Sequence, residues 1–170
     1  MADALILTLL LDDAAQERFD RLRRAHFPPE RNHLAAHVTL FHHLPGDRRA
    51  EVEDDVREAA VRREPFAVTV AGVRSLGRGV AYDLRSDALD ALRAGLAATW
   101  HPHLTPQDRQ RHRPHVTVQN KVDPAVARAL LADLAAGFTP YDVEARGLGL
   151  WRYAGGPWEH LASATFGGAG

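Results

Sequence analysis

The 170-residue chain contains no cysteine, which excludes disulfides and thiolate metal ligands and fits a reducing compartment. Lysine is almost absent too. Lys121 stands alone beside twenty arginines, a bias that, with heavy alanine use, points to a GC-rich bacterial genome more than to any activity. Neither sign of charge predominates: the formal net charge is −1 and the pI is about 6.8. There is therefore no global positive field to hold a long nucleic acid, and any such contact is expected to be local. The opening apolar run, Ala4–Leu11, is followed at once by Asp12 and Asp13. It is too short for a membrane span and wrongly flanked for a signal peptide. A cytoplasmic monomer with no membrane partner is expected. With 45% hydrophobic and 25% charged residues, composition is ordinary for a globular protein, and the length allows one well-buried domain.

Hydrophobic periodicity gives a mixed pattern. Ala4–Leu11 reads as a buried strand, and Asp12 or Asp13 caps a helix with Ala15, Phe19 and Leu22 on its apolar stripe. After Pro28 and Pro29 comes a strand over 35–44. Asp47 then caps a helix whose stripe is Val52, Val56 and Ala59. Strands over 65–73 and 80–84 flank a turn at Gly77-Arg78-Gly79. The second part repeats this outline: a helix with Leu89, Leu92 and Leu96, a polar loop over 101–113, and a strand over 114–122. Asp123-Pro124 then starts a helix bearing Val126, Leu130 and Leu134, stopped by Gly137. Strands over 141–151 and 158–166 close the chain around a Gly155-Gly156 turn. The fold class is α+β, with two pseudo-symmetric βα lobes and antiparallel sheets around a central cleft. Residues 1–85 and 86–166 form the lobes of one bilobal domain, 1–170, with possible strand exchange between them and a frayed tail at 167–170.

The chemistry lies in a repeat. His37-Val38-Thr39-Leu40 and His115-Val116-Thr117-Val118 share the pattern His-x-Thr-apolar at a separation of 78 positions. Side chains alternate along a strand, so each motif offers an imidazole and a hydroxyl on one face. Two such strands side by side would bring two histidines and two threonines onto one phosphate. Random placement of ten His and eight Thr gives roughly half an instance of His-x-Thr, whereas three occur, so the tripeptide alone is weak. The third copy, His103-Leu104-Thr105, lies between Pro102 and Pro106, where a central strand is disfavoured. The weight rests on the two copies in matching strand context.

These motifs, their spacing, and Arg113-Pro114 directly before the second one resemble the 2H phosphoesterase superfamily, in particular its 2′-5′ RNA ligase and cyclic phosphodiesterase branch. The resemblance implies two βα lobes around a cleft, His37 and His115 as catalytic acid and base, and Thr39 and Thr117 as phosphate-binding groups. The family's first motif commonly runs toward a Phe-Leu-Gly turn; here the chain reads Phe41-His42-His43-Leu44-Pro45-Gly46. The expected activity is metal-independent opening of 2′,3′-cyclic phosphates, at RNA ends or on small nucleotides, to 2′-phosphomonoesters. Histidine alone titrates close enough to neutrality to serve as both base and acid. The alternatives are 2′-5′ ligation, the same chemistry reversed, and a non-catalytic RNA-end or nucleotide-binding module.

No metal or cofactor is expected, because the His101, His103 and His112 region lacks a metal-ligand spacing. Secondary candidates for substrate binding are Arg113, with Arg109 and Arg111 beside it, and Phe41 and Tyr82 as cleft-lining rings. Trp151, Tyr153 and Trp158 could stack on a base. Of the adjacent His42 and His43, the second shares a face with His37 under strict alternation and is expected at the cleft's rim.

Overall fold

A computed structural model describes residues 2–168 of the chain. Seven strands and five helices alternate as β1 (Ala4–Leu11), α1 (Asp13–His26), β2 (Val38–Leu44), α2 (Arg49–Val61), β3 (Phe66–Ser75), β4 (Val80–Arg85), α3 (Asp87–Trp100), α4 (Pro106–Arg109), β5 (His115–Gln119), α5 (Pro124–Ala135), β6 (Tyr141–Tyr153) and β7 (Glu159–Thr165). All strand pairs are antiparallel, in the order β2-β1-β6-β3-β4-β5, with β7 branching from β6. The 13-residue β6 joins the two groups of strands. Along one edge it pairs with β1; along the other it pairs first with β3, up to Ala145, and then with β7 from Gly147. The sheet curls as an antiparallel half-barrel, so that β2 and β5, the ends of its strand order, approach each other. Among the described residues no helix is long and apolar enough to cross a membrane.

Strand pairing does not follow the chain halves. The β3-β4 hairpin pairs with β5, whereas β6 and β7 join β1 and β2. Helix α1 packs on β5, α5 on β3 and β4, and α2 on β6 and β7.

Local chemistry explains where elements begin and end. The Asp12 carboxylate accepts the N–H of Ala15 and also that of Glu144, capping α1 and tying it to β6. The first motif strand starts at Val38, later than the expected 35, because side chains of α1 take the preceding backbone groups: Gln16 donates to the Ala36 carbonyl and Asp20 accepts the Ala36 N–H. Strand β5 stops at Gln119; Lys121 has φ 62°, a left-handed conformation that breaks the ladder. Gly79, in the β3-β4 turn, lies so close to the Gln119 carbonyl that a Cβ would stand 2.0 Å from its oxygen.

Some expectations are corrected. Asp47 does not cap α2: a 3-10 turn over Gly46–Arg48, closed by Arg48 N–H to the Pro45 carbonyl, precedes it, and α2 starts at Arg49 without a side-chain cap. Its buried stripe ends on Ala60 rather than Ala59. On α5 the buried residues are Ala127 and Leu130, and Val126 is 50% exposed. Phe166–Gly168 forms a short turn in which Phe166 is buried against Phe66; residues 169 and 170 of the expected frayed tail lie outside the described residues.

The most consequential departure is in β2. Thr8 pairs with Thr39, Leu7 with Phe41 and Leu5 with Leu44, so the register slips twice. Leu40 is one extra residue, and His42 and His43 together oppose the single Ile6. The first slip turns Phe41 into the core, where it is 0% exposed, meets Trp100 edge-on and lies under the Arg93 guanidinium. Phe41→Ala is therefore expected to lower unfolding free energy by about 3–5 kcal/mol. Chemical denaturation of a refoldable sample measures this, and a loss below about 1 kcal/mol would place the ring outside the core.

Candidate active site

The two motif histidines are held alike. The His37 ring Nδ1 lies 2.8 Å from the carbonyl of Ala35, and the His115 Nδ1 lies 2.9 Å from that of Arg113, each two residues upstream. A carbonyl only accepts, so each Nδ1 carries the hydrogen and each neutral ring keeps its lone pair on Nε2. Both histidines are half-buried, and both titrate below the ordinary imidazole value. For His37, burial of the ring is the largest cause; the Arg23 charge and those of His115 and His42 add to it against the Ala35 hydrogen bond. Burial also leads for His115, with Arg74 adding to it and the Arg113 carbonyl and Asp83 opposing.

Two concavities share the four motif residues. His37 and Thr117 line a cleft of about 620 Å³, and Thr39 and His115 line a pocket of about 200 Å³. The histidine of each motif thus shares a concavity with the threonine of the other.

The larger cleft has an aromatic wall. Trp158 packs on His37 with ring centroids 4.7 Å apart, and Trp151 lies behind it at 6.4 Å. The Trp151 indole N–H donates to the Thr8 hydroxyl at 2.9 Å, which fixes that ring. Tyr153 joins Trp158 in the lining, and Gly155, at φ +94°, turns the connecting loop.

Arg23 is 4% exposed at the edge of this cleft. Its guanidinium donates to the Thr117 carbonyl at 3.0 Å and to the Asn32 side chain at 3.1 Å, and lies over the Phe27 ring. It thereby holds the backbone of β5 at the motif threonine.

A second set of contacts holds β2. The Asp108 carboxylate, 1% exposed, accepts both N–H groups of the His42-His43 bulge, at 2.8 and 2.9 Å. His42 Nδ1 lies 3.2 Å from the same carboxylate. Burial pushes the Asp108 pKa up, but these hydrogen bonds outweigh it and the net shift is downward. Arg93 donates to the carbonyls of Leu40 and Asp108, and His112 Nε2 donates to the Thr39 carbonyl at 3.0 Å. His112 also titrates low, burial being the main cause.

Not all candidates reach the site. Phe41 is core. Tyr82 pairs with Val116 on β5 and so faces away from His115 and Thr117; it packs against Phe19 and Phe138, beside a separate groove on the opposite face of the sheet. Arg111 and Arg113 line the smaller pocket, whereas Arg109 turns to the His101 carbonyl. Because of the bulge it is His42, not His43, that lines that pocket. The third His-x-Thr copy lies off the sheet: His103 is in a 3-10 turn, and Thr105 caps α4 by accepting the Asp108 N–H. Among the described residues no three His, Asp or Glu side chains converge as metal ligands.

Arg23, Arg74 and Asp108 are additions to the sequence reading. Arg23 follows Ala15 and Phe19 at helical spacing, so a cation on the buried stripe was a usable signal. Arg74 falls just beyond the expected end of its strand. Thr105-Pro-Gln-Asp108 has the pattern of a helix start, but burial of its acid is tertiary.

Comparison with known proteins agrees with this architecture. A structure of TT0787 from Thermus thermophilus superposes with a TM-score of 0.68 at 15% identity, covering 98% of this chain and 100% of that one. E. coli LigT complexed with 3′-AMP gives 0.60 at 20% identity, covering 98% and 99%, and LigT complexed with NADP+ gives 0.56 at 19%, with the same coverage. These likenesses show a shared fold. The family model for the 2′-5′ RNA ligase superfamily matches residues 11–157, and the chain belongs to that superfamily. No curated protein sequence matches.

The depressed imidazoles have a consequence for stability. His37, His112 and His115 bind protons less readily folded than unfolded, where the value is about 6.5. As pH falls below 6.5 toward the lowered folded values, the unfolded chain takes up protons that the folded one does not, so stability drops. The Asp108 contribution persists until pH falls below 3.8 and through its lowered value. Calorimetric Tm is expected to decline between pH 7 and 5; a Tm that rises over this range would contradict the burial of these rings.

Proposed function

We propose that the protein is a metal-independent cyclic phosphodiesterase that opens 2′,3′-cyclic phosphates of RNA ends or small nucleotides to 2′-phosphomonoesters. The observation that carries this reading is the matched tautomeric anchoring of His37 and His115, which leaves two Nε2 atoms free on the partnered motifs. In the proposed step one imidazole, neutral, takes a proton from water at Nε2 as the water oxygen attacks phosphorus. The bond from phosphorus to the ribose 3′ oxygen breaks, and the other imidazole, protonated, delivers its Nε2 proton to that oxygen. The products are a 2′-phosphomonoester and a free 3′ hydroxyl. Negative charge growing on the non-bridging oxygens is met by the hydroxyls of Thr39 and Thr117. Arg113 adds positive charge at the Thr39 side, and Trp158 and Tyr153 offer faces for a base. The complexes of E. coli LigT with 3′-AMP and NADP+ support a nucleotide as the ligand class.

His37→Ala and His115→Ala are each expected to lower kcat on a 2′,3′-cyclic mononucleotide by about 10²–10⁴-fold with the fold retained. Thr39→Ala and Thr117→Ala should cost about ten- to a hundredfold. Wild-type turnover should persist in EDTA and follow a bell-shaped pH profile, its acid limb below 6.5 in keeping with the lowered imidazoles. A monotonic profile with loss of activity in EDTA would overturn the scheme. An oligonucleotide end supplied with a 5′-hydroxyl strand tests the reverse, ligating direction. Nucleotide binding without turnover of either substrate would favour the non-catalytic module.

A further inference from the structure

The two sides of the site differ in chemistry. On the His37 side, cations alternate with aromatic faces, and the most buried of them, Arg23, is already engaged by Thr117, Asn32 and Phe27. On the His115 side the pocket has no ring other than imidazoles, and four guanidiniums line it: Arg74, Arg93, Arg111 and Arg113. The opposing carboxylates are Asp108 in the lining and Asp83, which pairs with Arg74 at 3.0 Å. Two positive charges remain unbalanced before any histidine is protonated. A cyclic phosphodiester at the centre of the site brings one negative charge, too little to neutralise them. At about 200 Å³ the pocket has room for several waters at ~30 Å³ each, or for a phosphate.

His42 is aimed into this space by construction. The His42-His43 bulge turns it to the face of Thr39, and Asp108, with no exposed side-chain surface, fixes the bulge through two backbone N–H groups and the ring through Nδ1. The ring is 44% exposed at the pocket wall, and its Nε2 is the nitrogen left for a ligand. Arg74, Arg93, Arg111, Arg113, His112 and His115 are the other charged or titratable groups around it.

We propose that the pocket on the Thr39–His115 side is a seat for a second phosphate, with His42 as a binding residue and Asp108 as the positioning residue that aims it. The substrate class is then a nucleotide that bears a second phosphoryl group besides the cyclic phosphate, because a 2′,3′-cyclic phosphorus carries only its two ribose oxygens and two non-bridging oxygens. This rests on the placement of the reacting phosphate between His37 and His115, but not on turnover.

The test is calorimetric titration with inorganic phosphate and with pyrophosphate at fixed ionic strength, which needs no catalysis. Wild type should bind pyrophosphate at least about tenfold tighter than phosphate. That preference should fall at least about fivefold in His42→Gln, which leaves the Asp108 contacts to the backbone intact. It should be kept in Arg128→Gln, which removes one exposed charge on α5. Asp108→Asn, if it folds, should lower the preference as well, and the His42 ring resonances should shift on adding pyrophosphate to wild type. Equal binding of the two anions, a preference that survives in His42→Gln, or an equal loss in Arg128→Gln would overturn the seat. Failure to hydrolyse cyclic nucleotides, with the pyrophosphate preference intact, would instead overturn the proposed activity and leave the seat standing.

Discussion

The structure depends on keeping two strand edges open. A strand at the end of a sheet exposes N–H and C=O groups that ordinarily seek another strand, yet the motif residues of β2 and β5 can flank a cleft only if no strand fills it. This protein meets those groups with side chains. Arg23 takes the Thr117 carbonyl on β5, while on β2 His112 takes that of Thr39, Arg93 that of Leu40, and Asp108 both N–H groups of the bulge. Each is a half-buried or buried polar group that bonds the backbone it holds, although the His112 Nδ1 is left buried without a partner. The scaffold for the chemistry is thus a set of hydrogen bonds, ionic except that from His112, from α1, α3, α4 and the loop before β5.

The same contacts set the electrostatics. Burial leads in biasing both rings toward the neutral form; Arg23, which holds the Thr117 carbonyl, adds to it at His37, and Arg74, paired with Asp83, adds to it at His115. A bound phosphate would offset that bias, since an anion between the rings favours protonation of either one. In the proposed reaction the substrate therefore helps to create the acid that its own leaving group requires. One ring must still stay neutral as base, so protonation of both would stop the proposed reaction.

Much of this was legible in the chain, for identifiable reasons. The α+β layout followed from hydrophobic periodicity and from turn residues such as Gly77-Arg78-Gly79 and Gly155-Gly156. The superfamily followed from two His-x-Thr motifs in strand context. What was not legible is tertiary. Nothing local marks Leu40 as an extra residue, so strict alternation sends Phe41 to the cleft and His43 to its rim, whereas the slipped register puts Phe41 in the core and His42 at the pocket. Tyr82 carries no sign of which face of β4 meets α1. Asp108 resembles any acid in a polar loop until the fold brings it beneath β2.

Whether His37 and His115 serve one phosphate together is decided by ring-nitrogen NMR of the wild-type protein, titrated with inorganic phosphate at constant pH. If they do, the Nε2 resonances of both histidines move along one binding curve with a single Kd, toward the protonated form. If only one ring responds, or if the two saturate at separate concentrations, they do not share an anion and the shared site is contradicted.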